Sequence, residues 1–269
     1  MKRFLAFSLA MFFVTLGLGS AWATTVVTLN NKNSTLVVDL TSQAGANEWL
    51  VDGVNQLYQQ WFWYSVGNGP TQSIDKLSAP DIWAQTSKVL DVDYSGASFD
   101  IEVVYSLIGG TSGSKTADVA EQIAINNNST APLVFHFYQY SDFDLNGTPG
   151  GQSVALTLNK ADQSSLTGAV LSETVVTPAP NRYEAGFYDS TLYRLENSST
   201  AVVLNDVSTA GPGDVTWAYE WDVTIAAGGS FEISKDKQIR PSPIPEPASL
   251  LLVGGGLLGL AGFGRRLRK

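Results

Sequence analysis

From Val215 to Ile225 the chain alternates without a break. Val215, Trp217, Tyr219, Trp221, Val223 and Ile225 fall on one side, and Thr216, Ala218, Glu220, Asp222 and Thr224 on the other. Successive side chains leave a pleated strand on opposite faces, so this pattern predicts a half-buried β-strand. Residues 226–229 supply a turn, and Phe231 with Ile233 continues the alternation, which predicts a hairpin. Phe99, Ile101, Val103 and Tyr105 predict a further strand. Residues 57–66 and 133–140 are apolar in both registers, the pattern of central strands buried on two sides. Gly, Asn, Ser and Pro clusters separate these runs, and no long stretch between residues 24 and 240 shows helical period. The expected fold is therefore mainly β: an antiparallel β-sandwich, jelly-roll-like or with extended sheets. No internal repeat suggests a solenoid or propeller.

The two ends follow other rules. Met1, Lys2 and Arg3 precede an apolar run, and Ala21-Trp22-Ala23 fits the small-x-small cleavage rule, so residues 1–23 read as a signal peptide cut after Ala23. The ectodomain is expected over 24–240. Residues 241–247, with four prolines in seven, read as an extended spacer. Residues 248–264 are uncharged and would reach about 26 Å as a helix, the lower limit for a single transmembrane helix. Arg265, Arg266, Arg268 and Lys269 make a basic stop in the cytoplasmic tail 265–269, which places the ectodomain outside that membrane.

Pro245-Glu246-Pro247, the Gly-rich apolar run and the closing Arg cluster together resemble the PEP-CTERM protein-sorting signal of Gram-negative bacteria. The resemblance covers about the last 25 residues. It implies recognition of Pro245, Glu246 and Pro247 by an exosortase, removal of the tail, and passage through the secretion machinery toward the cell surface or extracellular matrix. Gln59-Gln60-Trp61-Phe62-Trp63-Tyr64 and the run from Tyr138 to Leu145 are also similar to a recurring ectodomain of such proteins. No activity comes with that likeness.

Composition removes several chemistries. Residues 24–240 carry 24 acidic and 10 basic side chains, a formal charge of −14, which excludes nucleic acid as a partner because phosphate binding needs clustered Lys and Arg. The chain has no cysteine, so thiol nucleophiles, disulfides and thiolate metal sites are excluded. His136 is the one histidine and lies in an apolar strand, where it reads as a structural residue in or near the core. The most chemically suggestive run is Asp142-Phe143-Asp144-Leu145-Asn146-Gly147. Asp142, Asp144 and Asn146 offer oxygen donors at alternate positions before a glycine, as a calcium loop does. Position twelve would be Ser153 rather than glutamate, and Asn-Gly is itself a turn signal, so a plain turn is the preferred reading and calcium the alternative. No other cofactor is expected.

Trp49, Trp61, Trp63, Trp83, Trp217 and Trp221 raise a sugar platform, although Trp217 and Trp221 share a face with Val223 and Ile225 and read as core. With 24 carboxylates in the domain, a catalytic pair has no distinguishing pattern. The expectation is an exported, non-enzymatic surface protein. The alternative is a β-sandwich that binds, or less readily acts on, carbohydrate such as exopolysaccharide, held by the same anchor.

Overall fold

The computed structural model describes residues 24–242, and they form a sandwich of two nine-stranded sheets, as the alternation predicts. The first sheet runs β1 (Val26–Asn31), β2 (Ser34–Asp39), β3 (Gly45–Val51), β5 (Gln59–Val66), β11 (Leu133–Asp142), β17 (Val215–Ile225) and β15 (Arg182–Phe187). The short strands β4 (Val54–Asn55) and β6 (Gln72–Ser73) pair with β3 and β5. The second sheet runs β16 (Thr209–Gly213), β12 (Gln152–Thr157), β13 (Lys160–Ser165), β14 (Ala169–Thr177), β18 (Ser230–Pro241), β10 (Ala117–Asn127), β9 (Phe99–Gly109), β8 (Val89–Ser95) and β7 (Asp81–Gln85). Every pairing between these strands is antiparallel except a brief parallel contact of β3 with β5, and an isolated parallel bridge joins Glu184 to Val207.

β5, β11 and β17 are the centre of the first sheet, which explains the apolar runs of β5 and β11. Phe62 stacks on Phe137 with ring centroids 5.5 Å apart, and Phe137 meets Trp221 at 6.1 Å. Alternation then sends His136, Tyr138, Tyr140 and Asp142 of β11, with Thr216, Ala218, Glu220 and Asp222 of β17, to the opposite, outer face. That face should meet solvent, yet Thr216, Ala218 and Glu220 are buried. The cover is the segment after β15, which contains helix α1 (Ser190–Asn197). The Arg194 guanidinium donates to both oxygens of Glu184 on β15 at 2.7 and 2.9 Å, and to the Val203 carbonyl at 2.7 Å. The Leu204 amide donates to Glu220 at 2.8 Å, and the Tyr138 hydroxyl to the Val202 carbonyl at 2.7 Å.

Between the sheets lies a charged core. Lys235 and Lys237 occupy the inner face of β18 beside Ile233 and Ile239, where the period calls for apolar residues. Register sets Glu121 of β10 opposite Lys235, and Glu173 of β14 opposite Lys237. Both ammonium groups meet Glu121, at 2.7 and 2.6 Å, and both lie 3.9 Å from Glu173. The Gln139 amide donates to both oxygens of Glu173 at 2.8 Å, and Lys235 sits 4.7 Å over the Phe62 ring. Two cations and two anions, fully buried, balance one another's charge, with Glu121 Oε2 and Lys237 Nζ held by ion-pair contact rather than by a hydrogen bond.

The expected signal peptide with Ala21 and Ala23, the motif Pro245-Glu246-Pro247, the expected span 248–264 and the basic cluster all lie outside the described residues. Pro241 pairs with Ala169 at the end of β18, so the folded body includes the first residue of the spacer. Among the described residues no helix is long and apolar enough to cross a membrane.

Candidate ligand cleft

Register builds the cleft. Asp142 ends β11 opposite Thr216 of β17, and two further steps bring Asp144 against Asp214, the residue just before β17. The carboxylate oxygens of Asp142, Asp144 and Asp214 lie within 4.8 Å of one another. The backbone fixes two tyrosines beside them: the Tyr58 amide donates to the Asp142 carbonyl and the Tyr188 amide to the Asp214 carbonyl, each at 3.0 Å. The two phenol rings meet edge to face at 6.2 Å, both half exposed. With Pro149 these residues line an open cavity of about 230 Å³.

The electrostatics are one-sided. Asp142 is 1 % exposed, and its Oδ1 has no hydrogen-bond partner. Burial, reinforced by Asp214 and Asp144, pushes its carboxyl up to about 8. Burial raises Asp144 as well, with Asp214 adding to it, and burial raises Asp214.

Asn146 does not join this group. It adopts a left-handed conformation, with φ 60°, inside the 3-10 turn Leu145–Gly147, and its amide donates to the Thr167 carbonyl and hydroxyl at 3.2 and 3.1 Å. Gln56 and Gln152 pin the turn by accepting from the Asn146 and Leu145 amides. Asp142 and Asp144 therefore meet as the sequence pairs them, while the third oxygen donor comes from Asp214, about seventy residues away. Nothing local in the sequence points to Asp214. The register between β11 and β17 is what finds it.

A second cluster lies farther along the same outer face. His136 Nδ1 is 2.5 Å from Asp222 Oδ1, and Glu220 completes a group of three. Burial pushes the Glu220 carboxyl up to about 7, against the Leu204 amide, which pulls the other way. His136 is thus not packed between the sheets. Its side chain is 21 % exposed, because the covering segment stops short of it. Of the tryptophans considered as a platform, Trp49, Trp61, Trp63, Trp217 and Trp221 are buried in the core. Trp83, on the edge strand β7, is 73 % exposed.

The PEP-CTERM protein-sorting motif matches residues 243–269. The chain carries this sorting motif at its C-terminal end, and the motif implies export toward the cell surface with exosortase-dependent processing. No curated protein matches the chain. The sandwich is similar to a bacterial glucoamylase solved with acarbose (TM-score 0.59, 10% identity), covering 82% of this chain and 33% of that one. It is also similar to an aldose epimerase homologue from C. elegans (TM-score 0.53, 6% identity, 82% and 100% covered). A galactose mutarotase-like protein from Lactobacillus casei ATCC 334 matches in the same way (TM-score 0.51, 8% identity, 80% and 100% covered). The chain thus spans a third of the glucoamylase and the full length of the other two. These likenesses establish the fold, and they correct one expectation. The ectodomain was expected to be non-enzymatic, yet its two-sheet architecture is one that a glucoamylase carries, so the architecture gives no ground for setting enzymes aside.

Proposed function

We propose that this chain is an exported surface protein whose ectodomain binds carbohydrate in the cleft of Tyr58, Tyr188, Asp142, Asp144 and Asp214, on a C-terminal helix that an exosortase removes. The observation that carries the reading is the junction of two half-exposed phenol rings with three carboxylates in one open cavity. Flat rings stack on the apolar faces of pyranoses while carboxylates accept from their hydroxyls. The similarity to solved proteins named for epimerase, mutarotase and glucoamylase activities supports the same substrate class. The test is a polysaccharide array followed by titration of the best binder. Tyr188→Ala should weaken that titration about tenfold, roughly 1.4 kcal/mol. Equal affinity in Tyr188→Ala and wild type would reject the cleft. Intact-mass measurement of the exported protein checks the tail, and retention of residues 248–269 would reject its removal.

A second reading, that the ectodomain also acts on sugar, is favoured by the group of His136, Asp222 and Glu220. Interconverting the anomers of an aldose requires one group to take a proton and another to give one. The partly exposed His136 imidazole, held by Asp222, is the group a sugar can reach, and Glu220, raised to about 7 by burial, lies beside it under the covering segment. Polarimetry on free aldoses tests it: His136→Asn should abolish any acceleration that the wild-type protein shows.

A further inference from the structure

We infer that Asp142, Asp144 and Asp214 form a calcium site, with Asp214 rather than Asn146 as the third protein ligand. Three carboxylates with oxygens within 4.8 Å of one another repel strongly unless a cation lies among them. The second observation is independent of their number. Asp142 lines the cleft with Asp144 and Asp214, is 1 % exposed, and carries a buried Oδ1 with no hydrogen-bond partner. A buried carboxylate oxygen without a donor costs on the order of 1–3 kcal/mol or more, and folded proteins supply a partner for nearly all such atoms. Here a metal ion is the partner that also relieves the repulsion.

The donor set selects the metal. Every candidate ligand is a carboxylate oxygen, with no nitrogen or sulfur in the group, which suits a hard cation and disfavours zinc. Calcium takes six to eight oxygens in flexible geometry, so three aspartates leave coordination positions for water or for a hydroxyl-bearing ligand. The chain around the site is held independently of the metal. The Tyr58 and Tyr188 amides bond the Asp142 and Asp214 carbonyls, and Gln56 and Gln152 fix the turn after Asp144. The donors are thus brought together by strand register before any ion arrives. The site does not require a sugar in the cleft, and so goes beyond the carbohydrate reading.

Terbium, a luminescent substitute for calcium, tests this on the full-length protein in detergent. Tyr58 and Tyr188 stand beside the site and should sensitise its emission when tyrosine is excited. The expected result is saturable emission that calcium displaces, and calcium affinity lowered at least about tenfold in both Asp142→Asn and Asp214→Asn. Asp214 lies at the accessible rim, so its variant answers for the site should Asp142→Asn fold poorly. Emission that calcium does not displace, or calcium affinity unchanged in Asp214→Asn, overturns the proposal. Glycan binding is measured separately, with and without EDTA. Calcium binding without glycan binding supports the site while removing the carbohydrate reading.

Discussion

The molecule buries two groups of carboxylates and treats them in opposite ways. Between the sheets, Glu121 and Glu173 face Lys235 and Lys237, and Gln139 adds donors, so charge is balanced within the chain. Burial pushes Glu121 up, but the two lysines outweigh it and hold the carboxyl below its usual range. At the end of β11, Asp142, Asp144 and Asp214 share a cleft where burial raises all three, with Asp214 adding to the rise of Asp142 and Asp144. The first arrangement completes itself and has no use for a ligand. The second gathers three carboxylates beside an open cavity with no cation of the described residues among them, which is what distinguishes it from the balanced network.

The largest effect should come from breaking the balanced group. Glu121→Gln leaves Lys235 and Lys237 sharing Glu173 in a fully buried space, and losing one partner of a buried ion network costs about 3–5 kcal/mol. Urea denaturation at neutral pH reads it. A loss below about 1 kcal/mol would mean that the network is hydrated and that the contrast with the cleft is false.

The cleft should answer with the opposite sign. In EDTA, Asp142→Asn replaces a disfavoured buried carboxylate with a neutral isostere, so stability at pH 8 should rise by at least about 1 kcal/mol. The pH dependence follows from the raised pKa. The folded carboxyl, at about 8, holds its proton where the unfolded one, near 3.8, has lost it. The stabilisation is complete below about pH 4 and lost as pH rises through about 8. Wild type should therefore weaken relative to Asp142→Asn across that window, and urea midpoints taken at intervals of pH measure it. Calcium should cancel the difference at the alkaline end, because the ion binds the ionised form. Parallel pH profiles in EDTA would show that Asp142 is solvated and partnered.

How far these two groups could be read beforehand follows from strand register. β5 and β11 are legible from their apolar runs and β17 from its long alternation, and the two-sheet architecture follows from them. The burial of Glu220 and Thr216 was not, because the covering segment after β15 has no period and is held by Arg194, Glu184 and backbone carbonyls. In the charged core, Lys235 and Lys237 interrupt an apolar face of β18, as Glu121 and Glu173 interrupt those of β10 and β14. Each interruption is visible alone, but their pairing requires knowing which strands are neighbours. Asp214 is hidden for the same reason, since it reaches Asp144 through the pairing of β11 with β17.

The smallest effect separates the local motif from the assembled site. Spacing after Asp142 and Asp144 offers Asn146 as a calcium donor, whereas its amide is turned to Thr167 and its backbone is left-handed. Asn146→Gly keeps that conformation, which glycine adopts freely, and removes only the side-chain hydrogen bonds to an exposed partner. Stability should fall by less than about 1 kcal/mol. Calcium affinity should stay within about twofold of wild type, against the tenfold loss in Asp214→Asn. If titration calorimetry instead finds Asn146→Gly as damaging as Asp214→Asn, the ligands follow the linear motif. The strand register would then have misassigned the third donor.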